Sequence, residues 1–307
     1  MAQDSLVTDV GVAAGGLGTA VAAATVQFNK AAVMPSLITM VPAPQGTSTV
    51  QFPVYTKHDP THADHGVDEQ ASGAEETIAN LTNIETTAVS CEVLRRAIRA
   101  EVTDLSAHGN GDALLVNAAA QLGNDVARKF DVEVCDLLDN FSNGVGQDDA
   151  LNFLLFMDAI ATLEANDAPR PYNAVLHPLQ IWGSYGLGQE FSNLATPAFT
   201  GSGAFAGQAS DGIKSQFMDS GLVTNIAGVG IYTTTAVLDG ATGRKEGGMF
   251  SKQAIGCGYI DFGGGSFIQM ASEREEAYAK TTLVSNAYYA AAELVDVWGV
   301  EIDTEVS

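Results

Sequence analysis

The chain runs to 307 residues, 46% of them hydrophobic and 17% charged, with 32 glycines, which is ample material for a core and too little charge for a disordered polymer. Against 14 bases stand 37 acids, a formal net charge of −23 that repels phosphate backbones and anionic lipid and excludes a role built on gripping nucleic acid or a membrane surface. Low overall charge also implies that neighbouring molecules cover much of the surface.

Cys91, Cys135 and Cys257 stand far apart with no Cys-x-x-Cys pair, the pattern of a chain in a reducing compartment without a disulfide framework. Residues 10–26 are apolar but rich in Ala and Gly and follow Asp4 and Asp9. A secretory leader has a basic start and a membrane span needs larger apolar residues, so this stretch reads as the arm of a cytoplasmic protein.

In chain order, residues 1–49 form that arm, with large hydrophobes concentrated at 32–41 before the Pro42-Ala43-Pro44-Gln45-Gly46 break. Residues 50–55 alternate as a strand, and Pro53 places it at a sheet edge. From 58 to 94 come eight acids without one Lys or Arg, interrupted by Pro60, Gly66 and Gly73. Alternation returns at 84–93, so this segment is the acidic tip of a two-stranded excursion. Leu115, Ala119, Leu122, Val126, Phe130, Val134, Leu137 and Phe141 then recur every three or four residues, predicting one helix over 112–141, roughly 40 Å long. Asp148 or Asp149 is placed to cap a second helix running to Leu163, which Asn166-Asp167-Ala168-Pro169 stops.

A strand followed by a helix opening at Pro178 is predicted over 172–180. Residues 171–213 are weakly charged and loop-rich, as in a segment that moves or packs on another subunit. Short strands surround Gly228 and Gly230, 240–248 reads as a turn region, and 267–306 is β-rich. At its end Trp298, Val300, Ile302 and Val306 share one face, while Glu301, Asp303 and Glu305 share the other.

No catalytic, cofactor or metal site is assigned. His58, His62 and His65 crowd together with Asp59 and Asp64; zinc or nickel is the alternative to a solvated loop tip, but Pro60 prevents the helix that would align them. Asp261-Phe262-Gly263 lacks the companion motifs of a kinase, and no Gly-rich segment has phosphate-loop spacing. His177 is read as a packing or capping residue at a helix start. A soluble hydrolase using His177 and a nearby serine remains a distant alternative, since no nucleophile elbow supports it.

Arg95, Arg96 and Arg99 form the one tight basic cluster. No Lys or Arg lies among the acids Asp59, Asp64, Asp68, Glu69, Glu75 and Glu76. These two sets are therefore candidate intersubunit contacts, the acids of one copy meeting the arginines of another. The alternative is a solvated amphipathic element whose exposed pairs contribute little.

An arm, an acidic excursion, a long helix, a short second helix, a glycine-rich centre and terminal strands, in that order, resemble the major capsid protein of tailed bacteriophages, the Hong Kong 97-type α+β fold. Specific stretches resemble it too: 118–136 on the long helix, 172–180, 281–289 and 295–303. The resemblance implies an N-terminal arm at 1–49, an E-loop at 50–100, a peripheral domain at 101–170 and 256–307 that carries the spine helix, and an axial domain at 171–255. It implies self-assembly into pentamers and hexamers of an icosahedral virion shell around double-stranded DNA, bound without sequence specificity, in the host cytoplasm and without a membrane. The partners it implies are a separate scaffolding protein, since 49 residues leave little room for a fused one, a portal, and a candidate cement or decoration protein. Some relatives join an E-loop lysine covalently to a neighbour. Lys57, the only lysine in that region here, lies at the loop's base, so noncovalent clasping is expected. An encapsulin-like nanocompartment shell is the nearest rival.

Overall fold

A computed structural model describes residues 32–55, 86–104, 113–183, 186–187, 225–240, 243–262 and 267–306. The first half carries β1 (Thr39–Pro42), β2 (Thr49–Tyr55), β3 (Thr86–Glu92), β4 (Leu94–Thr103), α1 (Ala113–Cys135), β5 (Gly144–Ala150), α2 (Phe153–Ala165), β6 (Tyr172–Leu176) and α3 (Pro178–Trp182). The second half carries β7 (Asn225–Ile226), β8 (Val229–Thr233), β9 (Leu238–Asp239), β10 (Arg244–Ser251), β11 (Ile255–Tyr259), β12 (Ile268–Glu275), β13 (Lys280–Glu293) and β14 (Gly299–Glu305). No helix among the described residues is long and apolar enough to cross a membrane.

Two sheets organise the chain. In the five-stranded one, β4 pairs along one edge of β13, while β11 and β12 lie end to end along the other, and β1 pairs in parallel with β11. Helix α1 lies across one face. Its buried side, Ala119, Leu122, Val126, Phe130 and Val134, follows the helical repeat read from the sequence, and the Phe130 ring sits 4.9 Å from that of Tyr289 and 5.5 Å from that of Phe267.

The seven-stranded sheet runs β5-β14-β10-β6-β8-β7, with β9 also paired to β10. Phe156, Ala159, Ile160 and Leu163 of α2 fill a second core with Val300 and Ile302 of β14, and Trp298 packs against both cores.

Several expectations are corrected. The long helix ends at Cys135, giving about 34 Å at 1.5 Å per residue over its 23 residues, and a 3-10 turn (Leu138–Asn140) comes after it. Of the two stripe residues predicted beyond Cys135, Leu137 is only half-buried and Phe141 is buried, with Leu138 beside it in the first core, because the three-residue repeat of a 3-10 turn keeps Leu138 and Phe141 on one side. Apolar burial therefore outlasts the helix. Asp148 and Asp149 belong to β5, and Asn152 caps α2 instead, its Oδ1 accepting from the Leu155 N–H at 2.8 Å. Gly247 and Gly248 lie inside β10 rather than in a turn; a Cβ on Gly247 would come within 2.7 Å of the Val175 carbonyl, and one on Gly248 within 3.1 Å of the Leu138 side chain. These glycines allow close approach in a buried strand.

The division between sheets also differs from the domain limits drawn from sequence. β5 and α2, from the 101–170 block, and β14, from the 256–307 block, build the sheet that holds β6 to β10, because β14 pairs with β10 over seven positions.

The β2–β3 hairpin is seated on the five-stranded sheet by Val50, Phe52, Cys91 and Val93. Gly256 and Gly258 of β11 leave room for it: a Cβ on Gly258 would stand 2.6 Å from a Val50 methyl, and one on Gly256 2.9 Å from the Phe52 ring. Gly258→Ala is predicted to destabilise the protein by about 1–3 kcal/mol through overpacking against Val50, measured as the urea midpoint.

Candidate subunit-contact surfaces

Successive residues of a strand point to opposite faces, and this splits the arginine cluster. Arg95 and Arg99 stand on the face of β4 away from α1, and Arg96 turns towards the helix. There its Nε donates to Glu133 at 3.0 Å from Oε1 and 3.2 Å from Oε2, and its guanidinium lies 5.3 Å from the Tyr289 ring centroid. Lys129 adds a second cation, 3.1 Å from Glu133. Burial alone would raise the Glu133 pKa, but Arg96 and Lys129 together hold it below the usual carboxylate range. Arg96 is thus engaged within its own chain.

Arg95 donates from Nε to Asn286 Oδ1 at 2.8 Å. Arg99 is 73% exposed and stands 3.8 Å from Glu101. Glu101 in turn accepts from Lys280 at 3.2 Å, so the face of β4 and β13 away from α1 carries two exposed guanidinium groups beside a short charge ladder. Among the described residues β4 pairs only with β13, which leaves its second edge unpaired. The partner acids proposed from sequence, Asp59, Asp64, Asp68, Glu69, Glu75 and Glu76, lie outside the described residues, as do His58, His62 and His65.

His177 is a cap. Its Nδ1 accepts from the Leu179 N–H at 3.1 Å, while Gln180 Oε1 accepts from the His177 N–H at 2.8 Å. Gln180 is fully buried, and its Nε2 donates to the carbonyls of Lys245 and Ile302 and to Thr304 Oγ1 at 2.8–3.1 Å, tying α3 to β10 and β14. Sequence reading placed the helix start but gave no hint of this knot, because its acceptors lie more than 60 residues away.

A second feature escaped the sequence reading entirely. Asp139, Glu246 and Glu301 bring one carboxylate oxygen each within 4.8 Å of one another, at the place where the 3-10 turn, β10 and β14 meet. Oxygen donors so placed are of the kind hard cations prefer, and without a counter-charge they repel. Burial first, then Asp139, Asp303 and Glu246, push Glu301 up to about 7, although Arg244 pulls the other way. Glu246 is raised as well. The three residues are scattered over 163 positions of sequence, so no local motif announces them.

Neither the family models nor the curated protein sequences contain a match to this chain. Solved structures do. The capsid of Ralstonia phage GP4 superposes with a TM-score of 0.66 at 11% identity, covering 91% of this chain and 92% of that one. The head of Helicobacter pylori bacteriophage KHP40 gives 0.62 at 11%, covering 91% and 92%, and the capsid of cyanophage P-SCSP1u gives 0.60 at 17%, covering 90% and 89%. A virus-like particle from Pyrococcus furiosus gives 0.53 at 9%, covering 93% and 98%. The chain therefore has the α+β fold of these shell proteins, the Hong Kong 97-type fold, over nine tenths of its length.

A carboxyl whose pKa is higher folded than unfolded disfavours the charged state. Folding is most favoured below the ordinary value of 4.5 and loses that contribution as pH rises towards 7. Glu301→Gln is predicted to stabilise the protein at about pH 8 by on the order of 2 kcal/mol after allowance for screening. The gain shrinks to nothing near pH 4, read from urea unfolding at both pH values.

Proposed function

We propose that this chain is the major capsid protein of a tailed bacteriophage, a structural protein that self-assembles into the pentamers and hexamers of an icosahedral shell around double-stranded DNA. The observation that carries this reading is likeness to phage capsid and head structures over about 90% of the chain on both sides of the comparison. Composition agrees: low charge suits extensive burial between copies, and net acidity suits a wall that must not hold the genome it encloses. Residues 1–49 then serve as the arm, 50–100 as the E-loop, the α1 sheet as the peripheral body and the α2 sheet as the axial body. A separate scaffolding protein, a portal and a cement protein are the partners such a shell would use, with assembly in the host cytoplasm before the product becomes the virion wall.

In this reading the exposed Arg95 and Arg99 receive acids of the 59–76 stretch from another copy. The 30 residues between Tyr55 and Thr86, drawn out as two legs, would reach about 50 Å, far enough to leave their own sheet. An encapsulin-like nanocompartment shell, the rival named from sequence, is the second reading.

Electron microscopy of the expressed chain, with a scaffold supplied where one is encoded beside it, tests the proposal. Icosahedral shells are the expected product, and DNA in native particles separates a virion from a compartment holding protein cargo. A well-folded monomer under all these conditions overturns it. Arg95→Glu/Arg99→Glu is predicted to cut shell yield at least tenfold while leaving the melting temperature of the unassembled chain within a few degrees, since exposed charges contribute little to folding.

A further inference from the structure

Among the described residues Asp131 is the only fully buried carboxylate, 3% exposed on the inner side of α1. It accepts from the Val33 N–H at 3.0 Å on Oδ2 and 3.3 Å on Oδ1, and from the Met34 N–H at 3.1 Å on Oδ1. Val33 and Met34 open a 3-10 turn (Met34–Ser36) that has no side-chain cap of its own and carries Pro35, which lacks an N–H. The orphan amides at the head of this turn are thus capped from 97 residues away. Met34, Leu37 and Ile38 are buried in the first core, so apolar packing holds the turn and the start of β1. The carboxylate holds the head of that turn, Val33 and Met34, against α1.

A buried charge is an expensive way to hold a turn, and an apolar side chain of similar volume usually stabilises at least as well. What a carboxylate adds is direction: it only accepts, it takes two donors at once, and its charge-assisted bonds fix both amides relative to the helix. We infer that Asp131 is a positioning residue for assembly, setting where and at what angle the N-terminal arm leaves the body. The inference rests on the shell reading for its consequence, because an arm that departs at the wrong angle cannot reach its place on a neighbouring copy. The latch itself is a property of the single chain.

Lys30 is the only Lys or Arg before Lys57, and trypsin must draw the residues just after it, Val33 and Met34 included, into its cleft. Limited trypsinolysis of the unassembled full chain therefore reads the latch directly, with cleavage after Lys129 in α1 reporting opening of the helix. In Asp131→Asn, cleavage after Lys30 should rise at least tenfold with cleavage after Lys129 unchanged, and closed shells should give way to open or irregular ones. Unchanged cleavage after Lys30 overturns the inference, and so does a parallel rise at both sites, which would mean Asp131 merely stabilises the body. Hydrogen exchange on the wild-type chain needs no variant: the Val33 and Met34 amides should be protected as strongly as those of Val126 and Phe130, and exchange at the rate of free amides overturns the latch. Failure of the wild-type chain to form any shell would instead sink the function proposed above and leave these single-chain results to stand on their own.

Discussion

Strand β13 is the constraint on which the five-stranded sheet and the helix across it depend. Its 14 residues hydrogen-bond to β4 along one edge and to β11 and β12 along the other, and its Leu283, Ala287 and Tyr289 meet α1. Shortening it would remove the shared partner of three strands at once. The Phe130–Tyr289 contact is the centre of that arrangement, because aromatic rings there join helix, strand and the Phe267 segment in one cluster. The β2–β3 hairpin is a satellite, held by a small apolar cluster and by two glycines that make room for it.

Helix α1 was legible because one buried face from Ala119 to Val134 leaves a repeat that nothing else imitates. The strand at 299–305 was legible for the same reason at period two; that at 172–176 is buried along its whole length and was legible, like His177, from its place before a helix opened by a proline. What misled was local chemistry that long-range packing overrides. Glycines 247 and 248 carry the signature of a turn, yet they sit in a strand because Val175, Gln180 and Leu138 press against it. Asp148 and Asp149 are good caps by type, but β5 takes them and Asn152 caps the helix. Leu137 was read into the helical stripe, but the chain leaves the helix after Cys135 and it is Leu138 that joins Phe141 in the first core.

The contact surfaces were legible only in part, and the reason is geometric. Three arginines close in sequence look like one patch, whereas a strand sends alternate side chains to opposite faces, so Arg96 belongs to α1 and Glu133 while Arg95 and Arg99 remain outside. The Asp139, Glu246 and Glu301 group and the Gln180 knot were illegible for the opposite reason. Their members come from elements that meet only once both sheets are in place. Asp131 is an intermediate case, since an acid on the inner face of a predicted helix is visible in the sequence, but its partners in the arm are not.

The position of β14 has a consequence for how the chain is made. It is the last strand in sequence, yet it lies inside the seven-stranded sheet, between β5 and β10. The α1 sheet can draw its strands together once residue 293 is available, whereas the second sheet lacks an interior strand until residue 305 has cleared the ribosome. On the growing chain, β5 and α2 are thus synthesised about 150 residues before the strand that covers them. Their apolar faces wait exposed for several seconds at ordinary translation rates, a window in which a chaperone, or a neighbouring nascent copy, has first access to them.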